Sequence, residues 1–206
     1  MSRSRGNPYV GDARTRTARA AGYPARSVYK LEEIDRRVRL LAPGQRVLDL
    51  GAAPGSWSLY ASERVGPRGR VLAVDLAEIL QAFGDNVEVL RGDALSLESA
   101  ALARHAPYDV VLSDMAPPTS GSKVRDQARS LELFLRALEV AEALGRPGSS
   151  FVGKLFMGPD FDMARQALAA RHRAVKVLRP EGTRAQSSEL FLVGQGKRPE
   201  AGAPSE

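Results

Sequence analysis

Residues 49–57 read Asp-Leu-Gly-Ala-Ala-Pro-Gly-Ser-Trp and follow directly on the apolar run that begins at Arg46. Glycine and alanine in such a turn let a ligand approach the backbone, because larger side chains would fill that space. A dinucleotide fold would place G-x-G-x-x-G here and seat a pyrophosphate on the N-terminus of the next helix. Ala53 and Pro54 stand where the central glycines would be, and Pro54 lacks the N–H that a phosphate would use. The turn therefore suits an adenosyl ligand without a pyrophosphate, although the bare string also fits an ordinary strand–helix turn.

Working outward, short apolar runs alternate with helical periodicity. Apolar residues at Val28, Leu31, Ile34, Val38 and Leu41 mark an amphipathic helix over residues 27–41, ended by Pro43-Gly44. Strands are expected at 46–50, 70–74, 87–90, 109–112, 151–156, 174–178 and 189–193. Helices are expected through about residue 63, over 125–144 and over 160–170. Such alternation builds βαβ units around a mostly parallel, twisted sheet with helices on both faces. Ligands of these sheets bind beyond the carboxyl ends of the strands, where strand order reverses. The expected layout is a basic flexible arm over 1–19, one domain over 20–196 and a disordered tail over 197–206.

The chain has 206 residues, no cysteine and two histidines, His105 and His172. That leaves no disulfide, no thiolate nucleophile and little basis for a metal centre. Apolar runs such as 108–112 are far too short for a membrane span, and the basic N-terminus lacks the apolar segment of a secretory signal. A cytoplasmic protein is expected. Net charge is +6, and residues 1–30 carry Arg3, Arg5, Arg14, Arg16, Arg19, Arg26 and Lys30 against Asp12 alone. The whole excess thus sits at one end, as a polyanion such as RNA would require, or as a solvated basic tail would also have it.

Candidate site residues fall after strands. Asp75 ends VLAVD, where a carboxylate can accept hydrogen bonds from two ribose hydroxyls. Asp93 follows in LRGDAL, within reach of an adenine amino group, and Asp114 follows in VVLSDMAPP. Asp75 or Asp93 alone is more often a cap or turn residue. Pro117 and Pro118 keep the backbone open beside the site, but without the Asp-Pro-Pro-aromatic run of base-amino methyltransferases, which argues against a flipped base as acceptor. Lys154 lies inside the apolar strand FVGKLF, where a lysine is costly unless its head reaches a cleft or snorkels at an edge. Lys30 lies beside the apolar positions of its helix, and Glu189 opens the last strand.

Together these residues resemble the RrmJ/FtsJ-type family of ribosomal RNA ribose 2′-O-methyltransferases (the large subunit methyltransferase E type). The resemblance runs from about Asn7 to Arg198 through ARSVYKLEEID, VLDLGAAPGSWS, VLSDMAPPTSG, SFVGKLF with GPDFD, and SSELFLV. It implies a class I methyltransferase Rossmann-like α/β fold with one antiparallel strand at the end. It implies S-adenosyl-L-methionine as donor, held at Gly55, Trp57, Asp75, Asp93 and Asp114. It also implies a catalytic set of Lys30, Asp114, Lys154 and Glu189 without metal. The implied acceptor is a ribose, most simply a uridine, in 23S rRNA of the large ribosomal subunit, and the protein is expected to be a monomer. In that set Lys154 is the base, since burial and the neighbouring cation Lys30 favour a neutral amine. The chain departs from the family at Ser56, where Gly-Gly often precedes the tryptophan, and at Ser188, where arginine is common. ARSVYKL also resembles relatives acting on tRNA anticodon loops, so the same reaction on tRNA is the alternative. A noncatalytic RNA-binding assembly protein is a further one.

Overall fold

Strands buried on both faces need apolar residues at successive positions, and the chain supplies them in pairs that part to opposite sides. Val47, Val71 and Val110 point one way, while Leu48, Leu72 and Val111 point the other. The computed structural model describes residues 13–96, 99–181 and 188–199. Its elements are α1 (Ala13–Ala20), α2 (Val28–Val38), β1 (Arg46–Leu50), α3 (Ser56–Val65), β2 (Arg70–Asp75), β3 (Val87–Arg91) and α4 (Ser99–Leu102). There follow β4 (Tyr108–Ser113), α5 (Lys123–Leu144), β5 (Gly145–Phe156), α6 (Phe161–Arg171), β6 (His172–Leu178) and β7 (Glu189–Lys197).

The strands form one seven-stranded sheet in the order β3-β2-β1-β4-β5-β7-β6. Neighbours pair in parallel except at β7, which runs antiparallel to both β5 and β6. The expected mixed sheet is therefore what forms. The antiparallel strand is last in the chain but is inserted next to the edge in space, leaving β6 outermost. Helices α2 and α3 cover one face, around Leu31, Ile34, Trp57 and Phe191. Helices α5 and α6 cover the other, around Phe134, Leu138, Phe151 and Leu168. Strand order reverses between β1 and β4, which opens a crevice at their carboxyl ends. Among the described residues no helix is long and apolar enough to cross a membrane.

Several boundaries differ from the sequence reading, each for a local reason. Helix α2 stops at Val38 rather than reaching Leu41. Arg39 takes a left-handed conformation at φ 54°, and the buried Asp35 carboxylate accepts the N–H groups of Leu40 and Leu41 at 3.0 and 2.9 Å. Tyr60 and Arg64 donate to the other Asp35 oxygen at 2.9 and 3.1 Å, so one carboxylate fastens the end of α2 to α3. Strand β5 begins at Gly145 rather than 151, taking in Pro147-Gly148 across a register irregularity against β4. Strand β7 continues past the expected end at 193 to Lys197, the first residue of the expected tail. Residues 13–20, expected to lack regular structure as part of the arm, form α1, in which only Ala18 is buried. The rest of the arm, 1–12, and the tail from 200 lie outside the described residues.

Candidate active site

The crevice contains a cavity of about 570 Å³, walled by the residues that follow β1, β2, β3 and β4. Gly51 and Ala53 come from the first turn, Asp75 and Leu76 from the second. Asp93 and Leu95 come from the third, and Asp114 to Pro118 from the fourth. Gly51 has no alternative here: its φ is +77°, and a Cβ would lie 2.8 Å from the Met115 backbone nitrogen. Asp75 braces the turn, its two oxygens accepting the N–H groups of Ala53 and Ala77, each at 2.8 Å. Asp93 does the same locally for Leu95 at 2.9 Å. Each carboxylate keeps acceptor capacity for a ligand.

Three aspartates around one cavity decide what it can hold. They would repel a phosphate and suit a ligand that offers hydroxyls, an amino group or positive charge. Exposed Leu76 and Leu95 add apolar faces for a flat ring. Among the described residues no three carboxylate, imidazole or thiol groups converge closely enough to hold a metal ion.

The predicted catalytic residues form two ion pairs on the α2 side of the sheet. Lys154 is 7% exposed in β5, which lies inside the sheet, so it is no snorkelling edge residue. Its Nζ donates to the Asp114 carboxylate at 2.9 Å and to the Asp114 carbonyl at 2.5 Å. Lys30 Nζ meets Glu189 at 2.5 Å with both side chains largely covered, and it sits 5.8 Å from the Phe191 ring centre. Phe191 is the cross-strand partner of Lys154, so its ring, Lys154 and Lys30 lie on one side of the sheet. Asp114 alone of this set also walls the cavity, and so it joins the two halves.

Gly55 and Trp57 are not among the cavity's walls. Gly55 caps α3 at φ +107°, with Gln81 and Phe83 packed where a side chain would be. Trp57 is buried and points away, its indole N–H donating to the Ser27 carbonyl at 2.9 Å and its ring 5.6 Å from Phe191. The sequence reading missed the α5 wall, made by Arg129, Glu132 and Leu133. Their spacing of three and four is a helical stripe that the long helix would have disclosed.

It also missed Asp49, fully buried beneath the turn. One oxygen accepts the Ser58 hydroxyl at 2.6 Å and the other has no partner. Burial, followed by the charges of Asp114 and Asp75, outweighs the Ser58 hydrogen bond and pushes its carboxyl up to about 7. The folded state thus binds this proton more tightly than the unfolded chain, whose value is near 3.8. The associated stability is fully present below that lower value and is lost as pH rises through about 7. Thermal melting should therefore show wild-type protein losing on the order of a few kcal/mol between pH 5 and 8.5 relative to Asp49→Asn. Parallel pH slopes for the two proteins would show that Asp49 stays ionised.

The sequence matches the FtsJ-like methyltransferase family over residues 23–197. It is 66% identical over 197 residues to the ribosomal RNA large subunit methyltransferase E of Sorangium cellulosum, covering 95% of this chain and 92% of that protein. The protein of that name from Nitratidesulfovibrio vulgaris is 53% identical over 184 residues, covering 88% and 90%. Among solved structures, a ribosomal RNA methyltransferase from Plasmodium falciparum superposes with a TM-score of 0.75 at 24% identity, covering 85% of this chain and 98% of that one. This last likeness concerns the fold.

Proposed function

The chain belongs to the FtsJ-like methyltransferase family, and from that premise we propose that it methylates a ribose 2′-oxygen, of a uridine, in large-subunit ribosomal RNA with S-adenosylmethionine as donor. The observation that carries this reading is the placement of Asp114, which walls the acidic cavity and at the same time holds Lys154.

The cavity fits the donor by the chemistry of its walls. Asp75 would take the ribose hydroxyls, Asp93 the adenine amino group and Asp114 the positively charged end, while Gly55 keeps the turn narrow and Trp57 anchors it. When bound, S-adenosylmethionine supplies a methyl group on a positively charged sulfur, already activated for displacement. What remains for the protein is to seat a hydroxyl in line and to remove its proton. Lys154 is the group placed to do the latter, once it stands as a free amine beside Asp114. Such an amine has two N–H bonds and one lone pair, and its two hydrogen bonds to Asp114 use both N–H bonds. The lone pair is then left for the acceptor hydroxyl. As the proton arrives, positive charge develops 2.9 Å from the Asp114 carboxylate, which stabilises it. Glu189 holds Lys30 beside the Phe191 ring, on the same side of the sheet as Lys154.

Names of the relatives point to ribosomal RNA. Charge supports a polyanion, since the excess of basic residues lies in residues 1–30, the segment leading into Lys30. Incubation with labelled donor and separated ribosomal subunits, ribosomal RNA and tRNA, followed by mapping of the modified nucleotide, tests the assignment. Label on a ribose oxygen of large-subunit RNA is the expected outcome. Label confined to tRNA, or to a base, overturns it.

A further inference from the structure

Ser56 is the residue at which the turn departs from the family's Gly-Gly, and its side chain is fully engaged. It is 1% exposed, and its hydroxyl accepts the Ala25 N–H at 2.8 Å and donates to the Ala25 carbonyl at 3.1 Å. The next residue, Trp57, donates its indole N–H to the Ser27 carbonyl. These two carbonyls also open α2: Ala25 accepts the Val28 N–H at 3.4 Å, and Ser27 accepts the Lys30 N–H at 3.0 Å. One oxygen thus links the Trp57 indole to the backbone of Lys30.

The geometry points to a positioning role for Ser56 and Trp57: they clamp the donor-binding turn to the first turn of the helix that carries Lys30. Neither side chain walls the cavity, so the role assigned to them runs through α2. Both are buried, where a hydroxyl or indole N–H left without a partner would be costly, so the two helix ends are held together or both must move. The coupling has a second limb through the ring of Phe191, which both Trp57 and Lys30 approach, and which pairs with Lys154 across the strands. A glycine at position 56 would lack the first limb altogether. Filling the cavity would therefore steady Lys30, and through it the acceptor side, without any donor atom reaching that far.

This inference rests on the methyl-transfer reading, and its test separates the two. Trp57→Phe keeps a ring against Phe191 and removes the indole N–H, while Ser56→Gly removes the hydroxyl and adds no atoms. Each is made alone and in a Lys30→Ala background, and single-turnover transfer to large-subunit RNA is measured at saturating donor. With Lys30 in place, each should slow transfer by about tenfold with affinity for S-adenosylhomocysteine unchanged, and in the Lys30→Ala background no further slowing should occur. An equal slowing in both backgrounds, as a merely structural residue would give, overturns the proposal, as does no slowing in either. A readout independent of activity is hydrogen exchange. S-adenosylhomocysteine should slow exchange across residues 28–32 in the wild type and not in the variants. Equal protection in all proteins also overturns it. Wild-type protein that leaves every RNA unmethylated sinks the functional reading instead. If Trp57→Phe does not fold, Ser56→Gly completes the same cycle.

Discussion

Replacing Lys154 by alanine should slow methyl transfer by about 10²- to 10⁴-fold, the range general base catalysis commonly supplies, while donor affinity stays close to that of the wild type. The separation follows from where the residue sits. Lys154 does not wall the donor cavity; it reaches it only through Asp114. Its loss removes the group proposed to take the ribose proton and leaves the carboxylates of Asp75 and Asp93 in place. Alanine also leaves Asp114 without its partner, and breaking a covered ion pair from one side is destabilising. Asp114 borders an open cavity, so water can take over part of that role. Lys154→Met provides the control, since it keeps the side-chain volume and removes the amine. Both variants should be folded by thermal melting, bind S-adenosylhomocysteine with near wild-type affinity in calorimetry, and fail to label RNA. Wild-type turnover in either folded variant would remove Lys154 from the mechanism.

The strands that build the cavity were legible because a parallel sheet covered on both faces demands nearly continuous apolar runs, and VLDL, VLAV and VVL come close to that. Polar residues that follow strands, Asp75, Asp93 and Asp114, could then be placed at one end of the sheet by topology alone. Lys154 was legible for the converse reason, a charge where the sheet tolerates none without a partner. What stayed hidden depends on three-dimensional neighbours that leave no periodic trace. Helix α1 buries one small alanine and so has no apolar stripe. The end of β7 lies past the expected strand, and Lys197, where the tail is expected to begin, folds inward and donates to the Gly145 carbonyl at 2.7 Å. The resemblance implies Trp57 as a donor residue, and no pattern in the sequence shows that its ring lies in the core between α2 and the sheet. Asp49 begins the most informative stretch of the chain, and nothing in its neighbours announces that its carboxylate is sealed from water.

The complementary result is expected at Asp75. Asp75→Ala should weaken donor binding by about 3 kcal/mol, roughly a hundredfold in Kd, because two hydrogen bonds to a charged acceptor are lost at once. The carboxylate also organises the turn itself, accepting Ala53 from β1's turn and Ala77 from its own. Asparagine is no substitute. Its amide offers one acceptor oxygen, so its NH2 group would face one of those two backbone N–H groups, donor against donor. Asp75→Asn should therefore weaken binding at least as much as a lost charge alone would. Neither change touches Lys154, Lys30 or their partners, so turnover at saturating donor should fall far less than affinity does. Calorimetry with S-adenosylhomocysteine and a donor titration of the methylation rate measure the two quantities separately. Lys154→Ala and Asp75→Ala should thus damage opposite parameters. An Asp75→Ala protein that binds S-adenosylhomocysteine as tightly as the wild type would show that the donor ribose lies elsewhere in the cavity, and the assignment of the neighbouring aspartates would fall with it.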